Sequence, residues 1–170
     1  MKTISDYIGE TLRFFQPSVF KRFHELKAND ALIGSIQQKG FFGMLWSVTL
    51  QNKNWEIYKP SCWRTILEVR EAGYEMPMAS FKRDGFRSKG TLSLPKGKSL
   101  KIVPHLFKGF CEITNEQGDS YMRIKLNKIS WGDKAEITIE KRSEVIDKYP
   151  WIIMLAYIII LEQKQRAHSS

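Results

Sequence analysis

WIIMLAYIIIL, Trp151 to Leu161, sets eleven apolar residues in a row near the end of a chain that is otherwise polar and basic. Eleven helical residues rising about 1.5 Å each cover roughly 16 Å, while a bilayer's hydrocarbon core is about 30 Å thick. The run is too short to span. No position from 151 to 161 carries a charge or an amide, so a helix here has no polar stripe with which to lie half in water. A helix that is apolar all round has to be enclosed by its own protein or by a partner. Insertion as a tail anchor, helped by flanking residues, is the remaining membrane reading, and it requires the whole chain to depend on detergent.

The flanks set the bounds of this helix. Asp147 can cap it, Pro150 is tolerated in a first turn whose amides lack internal partners, and Lys164 and Arg166 suit its negative C-terminal end. These signals predict a central hydrophobic helix over 147–165 and a frayed tail over 166–170. Ser143 is an earlier candidate cap, which leaves Pro150 as a kink.

Ahead of residue 142 the text has a different rhythm. Turn formers recur at Asn29-Asp30, Asn52-Lys53-Asn54, Ala72-Gly73, Asp84-Gly85, Pro95-Lys96-Gly97, Gln117-Gly118-Asp119 and Trp131-Gly132-Asp133. Between them lie short runs of period two. In SYMRIKL, Met122, Ile124 and Leu126 share one face and Tyr121, Arg123 and Lys125 the other; AEITIEK repeats the pattern with Ile137 and Ile139. VFKRFHEL, WEIYK, TILEVR, GTLSL, SLKIV and GFCEIT follow, and TLRFF, ALIGSI, MLWSVTL and MPMASF bring the number of strands to about twelve. No break in composition divides the 170 residues, so 1–170 reads as one domain with the β region over 11–142.

Strands and helix together select a mostly β fold. A barrel of about twelve antiparallel strands is too wide to be filled by its own side chains, and a C-terminal helix in its lumen satisfies both halves of the sequence. A two-layer sandwich with the helix across an open face is the alternative, but it leaves one side of the helix wet.

About twelve short strands followed by DKYPWIIMLAYIIILEQKQ resemble the tubby C-terminal-like fold, shared by tubby proteins, plant LURP-one-related proteins and phospholipid scramblases. The resemblance runs from about Leu12 to Gln165 and is one of architecture. It implies a closed barrel around a central helix. By analogy with tubby proteins it implies attachment to phosphoinositide-rich membrane through basic residues, although no individual lipid-binding residue of that family maps onto this chain. The chain lacks a cysteine-rich segment for acylation and a D-x-[DN]-x-[DN]-G calcium loop, which speaks against a calcium-dependent, scramblase-like role.

Lys and Arg outnumber Asp and Glu by 27 to 18, a net charge of +9, which favours acidic partners. The charge is concentrated. Between Phe81 and Lys101 stand Lys82, Arg83, Arg87, Lys89, Lys96, Lys98 and Lys101 against Asp84 alone, six of the nine net charges. Hairpins about Asp84-Gly85 and about Pro95 to Lys98 are expected to gather these cations in one region, where Phe86 adds an apolar tip. That surface suits anionic lipid or phosphoinositide headgroups; solvated turns that merely block edge pairing are the plainer reading. Nucleic acid is disfavoured, because no reading motif is present and Trp46, Trp55, Trp63, Trp131 and Trp151 read as core or rim residues. A protein partner remains the other open class.

Catalysis finds little support. His24, His105 and His168 stand apart from one another, G-x-S-x-G and the glycine-rich phosphate loops are absent, and Glu68 with Glu71 and Glu112 with Glu116 read as surface acids. Cys62 and Cys111 have no metal-ligand spacing and read as buried thiols, so no metal or cofactor is expected. The first fifteen residues lack the apolar run of a signal peptide, which makes a cytoplasmic location, peripheral to membrane if the basic loops bind lipid, the default expectation.

Overall fold

The alternating runs form β1 (Leu12–Phe15), β2 (Phe23–Ala28), β3 (Ala31–Lys39), β4 (Leu45–Leu50), β5 (Lys53–Tyr58), β6 (Ile66–Glu71), β7 (Ala79–Arg83), β8 (Gly90–Ser93), β9 (Ser99–His105), β10 (Phe110–Thr114), β11 (Ser120–Leu126) and β12 (Asp133–Ile139). Two helices follow, α1 (Glu144–Lys148) and α2 (Ile152–Ser169). The structure is a computed structural model that describes residues 1–40, 42–62, 65–85, 89–105, 107–127 and 132–169. Each strand pairs antiparallel with the next in sequence, and β1 pairs with β12, so the twelve strands close into an up-and-down barrel without free edges.

Register puts the apolar set of each strand on the lumen side. Leu12 faces Ala28 and Ile137, Ile124 faces Cys111 and Ile137, Leu92 faces Phe81 and Leu100, and Ile36 faces Val48. All of these are buried. One hairpin departs slightly from expectation: its turn falls at Gln51 and Asn52, both with positive φ, and Lys53 already belongs to β5. Two consecutive left-handed residues are what a two-residue type I′ turn demands.

The lumen is filled by α2. Every residue from Trp151 to Ile160 is buried, with exposures of 0 to 4%, and no helix among the described residues is long and apolar enough to cross a membrane. Close approach of helix and wall is made possible at Gly34, where a Cβ would stand 2.7 Å from Met154 Cε and 2.8 Å from the Thr49 carbonyl oxygen. Phe14 stacks on Tyr157 with ring centroids 3.7 Å apart.

The start and end of the helical region differ from the expected 147–165. Ser143, not Asp147, is the first cap, accepting a hydrogen bond from the Ile146 amide at 3.3 Å. Pro150 has no N–H with which to continue α1, so the chain breaks at 149–151 and α2 begins at Ile152. Asp147 is used elsewhere, accepting from the Ser5 amide at 2.7 Å. The tail is helical in its backbone to Ser169 rather than frayed from 166, since Gln163, Lys164, Gln165, Arg166 and Ala167 favour helix and neither Gly nor Pro interrupts them.

Because every connection joins adjacent antiparallel strands, successive connections alternate between the two ends of the barrel. Residues 29–30, 51–52, 72–78, 94–98 and 115–119 lie at one end, which the N-terminal 3-10 turn Ile4–Tyr7 and α1 close; Ser5 Oγ accepts there from the Ser143 amide at 3.0 Å. The described residues of the connections 16–22, 40–44, 59–65, 84–89, 106–109 and 127–132 lie at the other end. We refer to this second end as the mouth. α2 enters at the closed end and emerges at the mouth, where Glu162 forms an ion pair with Lys59.

Candidate functional site

Alternation of the connections divides the basic segment expected to act as one surface. Lys82, Arg83 and Lys89 lie at or beside the mouth, whereas Lys96 and Lys98 occupy the turn at the closed end. The four residues of β8 separate the two turns by about 13 Å, more than the Debye length of about 8 Å at physiological ionic strength. Their fields therefore do not add as expected. Lys101 sits on the outer wall with its ammonium 2.5 Å from Thr91 Oγ1 and 3.4 Å from Asp84 Oδ2. Arg83 is half-buried, and burial, reinforced by the Arg166 charge, lowers its pKa. Arg87 and Phe86 lie outside the described residues.

Sorting the charges by end yields a different surface. Among the described residues, the mouth connections carry Lys21, Arg22, Lys59, Lys89 and Lys108 against Asp84 alone, and the emerging helix adds Lys164 and Arg166 against Glu162. The connections of the closed end carry Lys96 and Lys98 against Asp30, Glu75, Glu116 and Asp119. The barrel is thus polarised along its axis, positive at the mouth. Both ends expose apolar side chains, Leu32, Tyr74 and Met76 at the closed end and Val19, Phe20, Phe42 and Phe107 at the mouth. Phe20 and Phe42 are 94% and 85% exposed, and Phe107 is fully so. Among the described residues, only the mouth combines phenylalanine tips with excess positive charge.

The mouth also contains a cavity of about 420 Å³, bounded by Gln16, Val19 and Arg22, by the start of β2, by β3, by Phe42, Gly43 and Trp46, and by α2 between Ile158 and Gln165. Val19, Ile36, Phe42, Trp46, Ile158 and Leu161 provide its apolar lining; Gln16, Arg22, His24, Gln38, Glu162 and Gln165 provide the polar one. Gln38 is held by its Nε2, which donates to the Gly43 carbonyl at 2.9 Å. No carboxylate among the described residues pairs with Arg22, which is exposed at the rim, whereas Glu162 is engaged by Lys59.

His24 joins wall to plug. It sits opposite Ile36 on β2, and its Nδ1 lies 2.8 Å from the Tyr157 hydroxyl. Burial, with the Lys134 charge adding to it, pulls the imidazole pKa down to about 4, so the ring is neutral at pH 7. Burial also raises the Tyr157 pKa, which keeps that hydroxyl protonated. The phenol and Nδ1 share this hydrogen bond, and which of them donates follows the tautomer of the neutral ring. His105 is on the outer wall, 3.0 Å from Glu112, which Arg123 also holds at 2.8 Å. Glu68 accepts from the Tyr58 hydroxyl at 2.8 Å.

The thiols differ from one another. Cys111 is buried in the lumen, where burial pushes its pKa up. Cys62 is exposed rather than buried, because it falls in the 59–65 mouth connection and not on an alternating strand. Trp63 and Trp131 lie outside the described residues, as does the side chain of His168.

The residues that come together at the mouth, Phe20, Lys21, Arg22, His24, Gln38, Phe42 and Phe107, are scattered in sequence. The signal that could have located them is the parity of the turns: in a meander, every second turn shares an end. No protein-family model and no curated protein matches this chain. Among solved structures, an X-ray structure of a protein from Arabidopsis thaliana superposes with a TM-score of 0.64 at 12% identity, covering 92% of this chain and 91% of that one. At that identity the likeness establishes the shared fold, a closed antiparallel β-barrel built around a C-terminal helix.

Proposed function

We propose that this protein is a non-enzymatic module of the tubby C-terminal-like type that attaches reversibly to anionic membrane surfaces, mouth first. The observation that carries the proposal is the coincidence, at one end of the barrel, of excess positive charge with exposed Phe20, Phe42 and Phe107. A cation near an anionic bilayer contributes about 1 kcal/mol, so Lys21, Arg22, Lys89 and Lys108 supply about 4 kcal/mol, Lys59 being engaged by Glu162. Burial of a phenylalanine adds about 1.5–3 kcal/mol. Two inserted rings bring the sum to about 8 kcal/mol, which corresponds to micromolar, readily reversible attachment. The orientation also matches the fold, because the closed end is balanced to acidic and would be repelled.

Co-sedimentation with vesicles tests this reading. The protein is expected to bind vesicles containing phosphatidylserine or phosphoinositides, to ignore neutral vesicles, and to be released as salt rises. No binding to anionic vesicles at low salt would remove the reading and turn the search to a protein partner.

A further inference from the structure

The mouth cavity has a chemistry of its own that general charge attraction does not use. We propose that it is a headgroup pocket for a singly charged, hydroxyl-bearing phosphodiester, of the kind a glycerol or inositol phospholipid presents. This rests on the membrane-docking reading and narrows it to one class of lipid.

Charge comes first. The cavity is lined by one cation with no carboxylate partner among the described residues, Arg22, and by one acid, Glu162, whose charge the Lys59 ion pair offsets. One fixed positive charge matches one phosphodiester negative charge. A polyphosphorylated headgroup would need several cations inside the pocket. Arginine's planar fork suits two phosphate oxygens at once.

The remaining polar lining suits hydroxyl groups. Gln16 and Gln38 present amides, which both donate and accept, as a polyol requires. Gln38 is already fixed through Gly43, so its position does not have to be ordered on binding. His24 is fixed through Tyr157, leaving Nε2 as its remaining hydrogen-bonding atom, a donor or an acceptor as the tautomer dictates. Trp46 supplies an apolar wall for the carbon face of a polyol. A volume of about 420 Å³ falls in the range of about 300–1,000 Å³ usual for small-molecule sites. The cavity opens among the same loops that expose Phe20 and Phe42, so a lipid whose chains remain in the bilayer can present its headgroup to it.

The same chemistry could reach the pocket as a lipid or as a free water-soluble diester, and two arms separate these. In the first, soluble glycerophosphoglycerol is titrated into the protein while the Trp46 indole N–H and the His24 ring resonances are followed by NMR. Both are expected to shift, and R22Q is expected to weaken binding about tenfold, the loss of one charge-assisted contact worth about 1.4 kcal/mol. In the second, binding to phosphatidylglycerol vesicles is compared with phosphatidylserine vesicles of equal surface charge. Wild type is expected to prefer phosphatidylglycerol. R22Q should abolish that preference, whereas K89Q, which removes a mouth cation that does not line the cavity, should weaken both equally and keep it.

Equal binding to both vesicles, with no shift of Trp46 or His24 up to about 10 mM diester, would overturn the pocket and leave membrane docking standing. Shifts with the soluble diester but no binding to either vesicle would overturn membrane docking and assign the pocket to a free metabolite of that chemistry. A preference that persists in R22Q would also overturn the proposal, since Arg22 is its only charge anchor.

Discussion

Lowering the pH from 7 to 5 is expected to destabilise the barrel by about 2 kcal/mol through His24 alone. The imidazole titrates near 6.5 when unfolded and near 4 in the folded chain. Its folded pKa is depressed, so between those values the unfolded chain binds a proton that the native state refuses, and stability rises with pH across that window. The contribution is complete above about pH 6.5, falls by about 2 kcal/mol at pH 5, and approaches a limit of about 3 kcal/mol below pH 4. The assay is urea denaturation at pH 7 and pH 5, for wild type, H24Q and Y157F. H24Q cannot titrate, so its loss between the two pH values should be smaller than that of wild type by about 2 kcal/mol. Y157F retains the buried imidazole and should keep the wild-type pH dependence, while losing about 1 kcal/mol at both pH values for the broken hydrogen bond. Identical pH dependence in wild type and H24Q would refute the burial of a neutral imidazole between β2 and α2.

Four further outcomes follow from the same geometry. G34A should lose about 1–3 kcal/mol, read as a lowered Tm, because the added methyl meets Met154 and the Thr49 carbonyl, and the backbone oxygen cannot rotate away. L155A should cost about 2–5 kcal/mol in denaturant titration, and deletion of residues 143–170 should yield no cooperative unfolding transition, since Leu155 and its neighbours fill the lumen; a stable truncated barrel would contradict the plug. In vesicle binding, K21Q with K108Q should cost about 2 kcal/mol, roughly a thirtyfold loss of partitioning at low salt, whereas K96Q with K98Q should leave it unchanged.

The barrel was legible because its signals are local and repeated. Each run of period two needs only its own residues to place its apolar face inward, and the all-apolar text from Trp151 to Leu161 demands enclosure whatever its neighbours are. Errors appeared where two local rules competed. Both Asp147 and Ser143 can cap a helix, and the choice turned on a contact that the helix text does not contain, the amide of Ser5 at the other end of the chain. Gln51 is not a turn former, so the sequence points to Asn52–Asn54, whereas the hairpin turns one residue earlier, on Gln51 and Asn52.

The candidate site was far less legible, and the reason is geometrical. A cluster of cations within twenty-one residues is a statement about contour length, while a field depends on distance in space. In a meander, two turns joined by a single strand are carried to opposite ends, so proximity in sequence works against proximity in space; turns two strands apart share an end and can cooperate. Lys96 and Lys98 are therefore nearer in sequence to Lys89 than Lys21, Arg22 and Lys59 are, yet they stand on the closed end. His24 illustrates the same limit for buried groups. Its alternation on β2 was visible, but the hydroxyl that holds its ring belongs to Tyr157, 133 residues later, and the plug has to be threaded through the lumen before that pair exists. The mouth is consequently a property of the closed barrel as a whole: its cations arrive from alternate turns, its cavity from two of those turns and a helix end, and its polarity from the parity that the meander imposes on every loop.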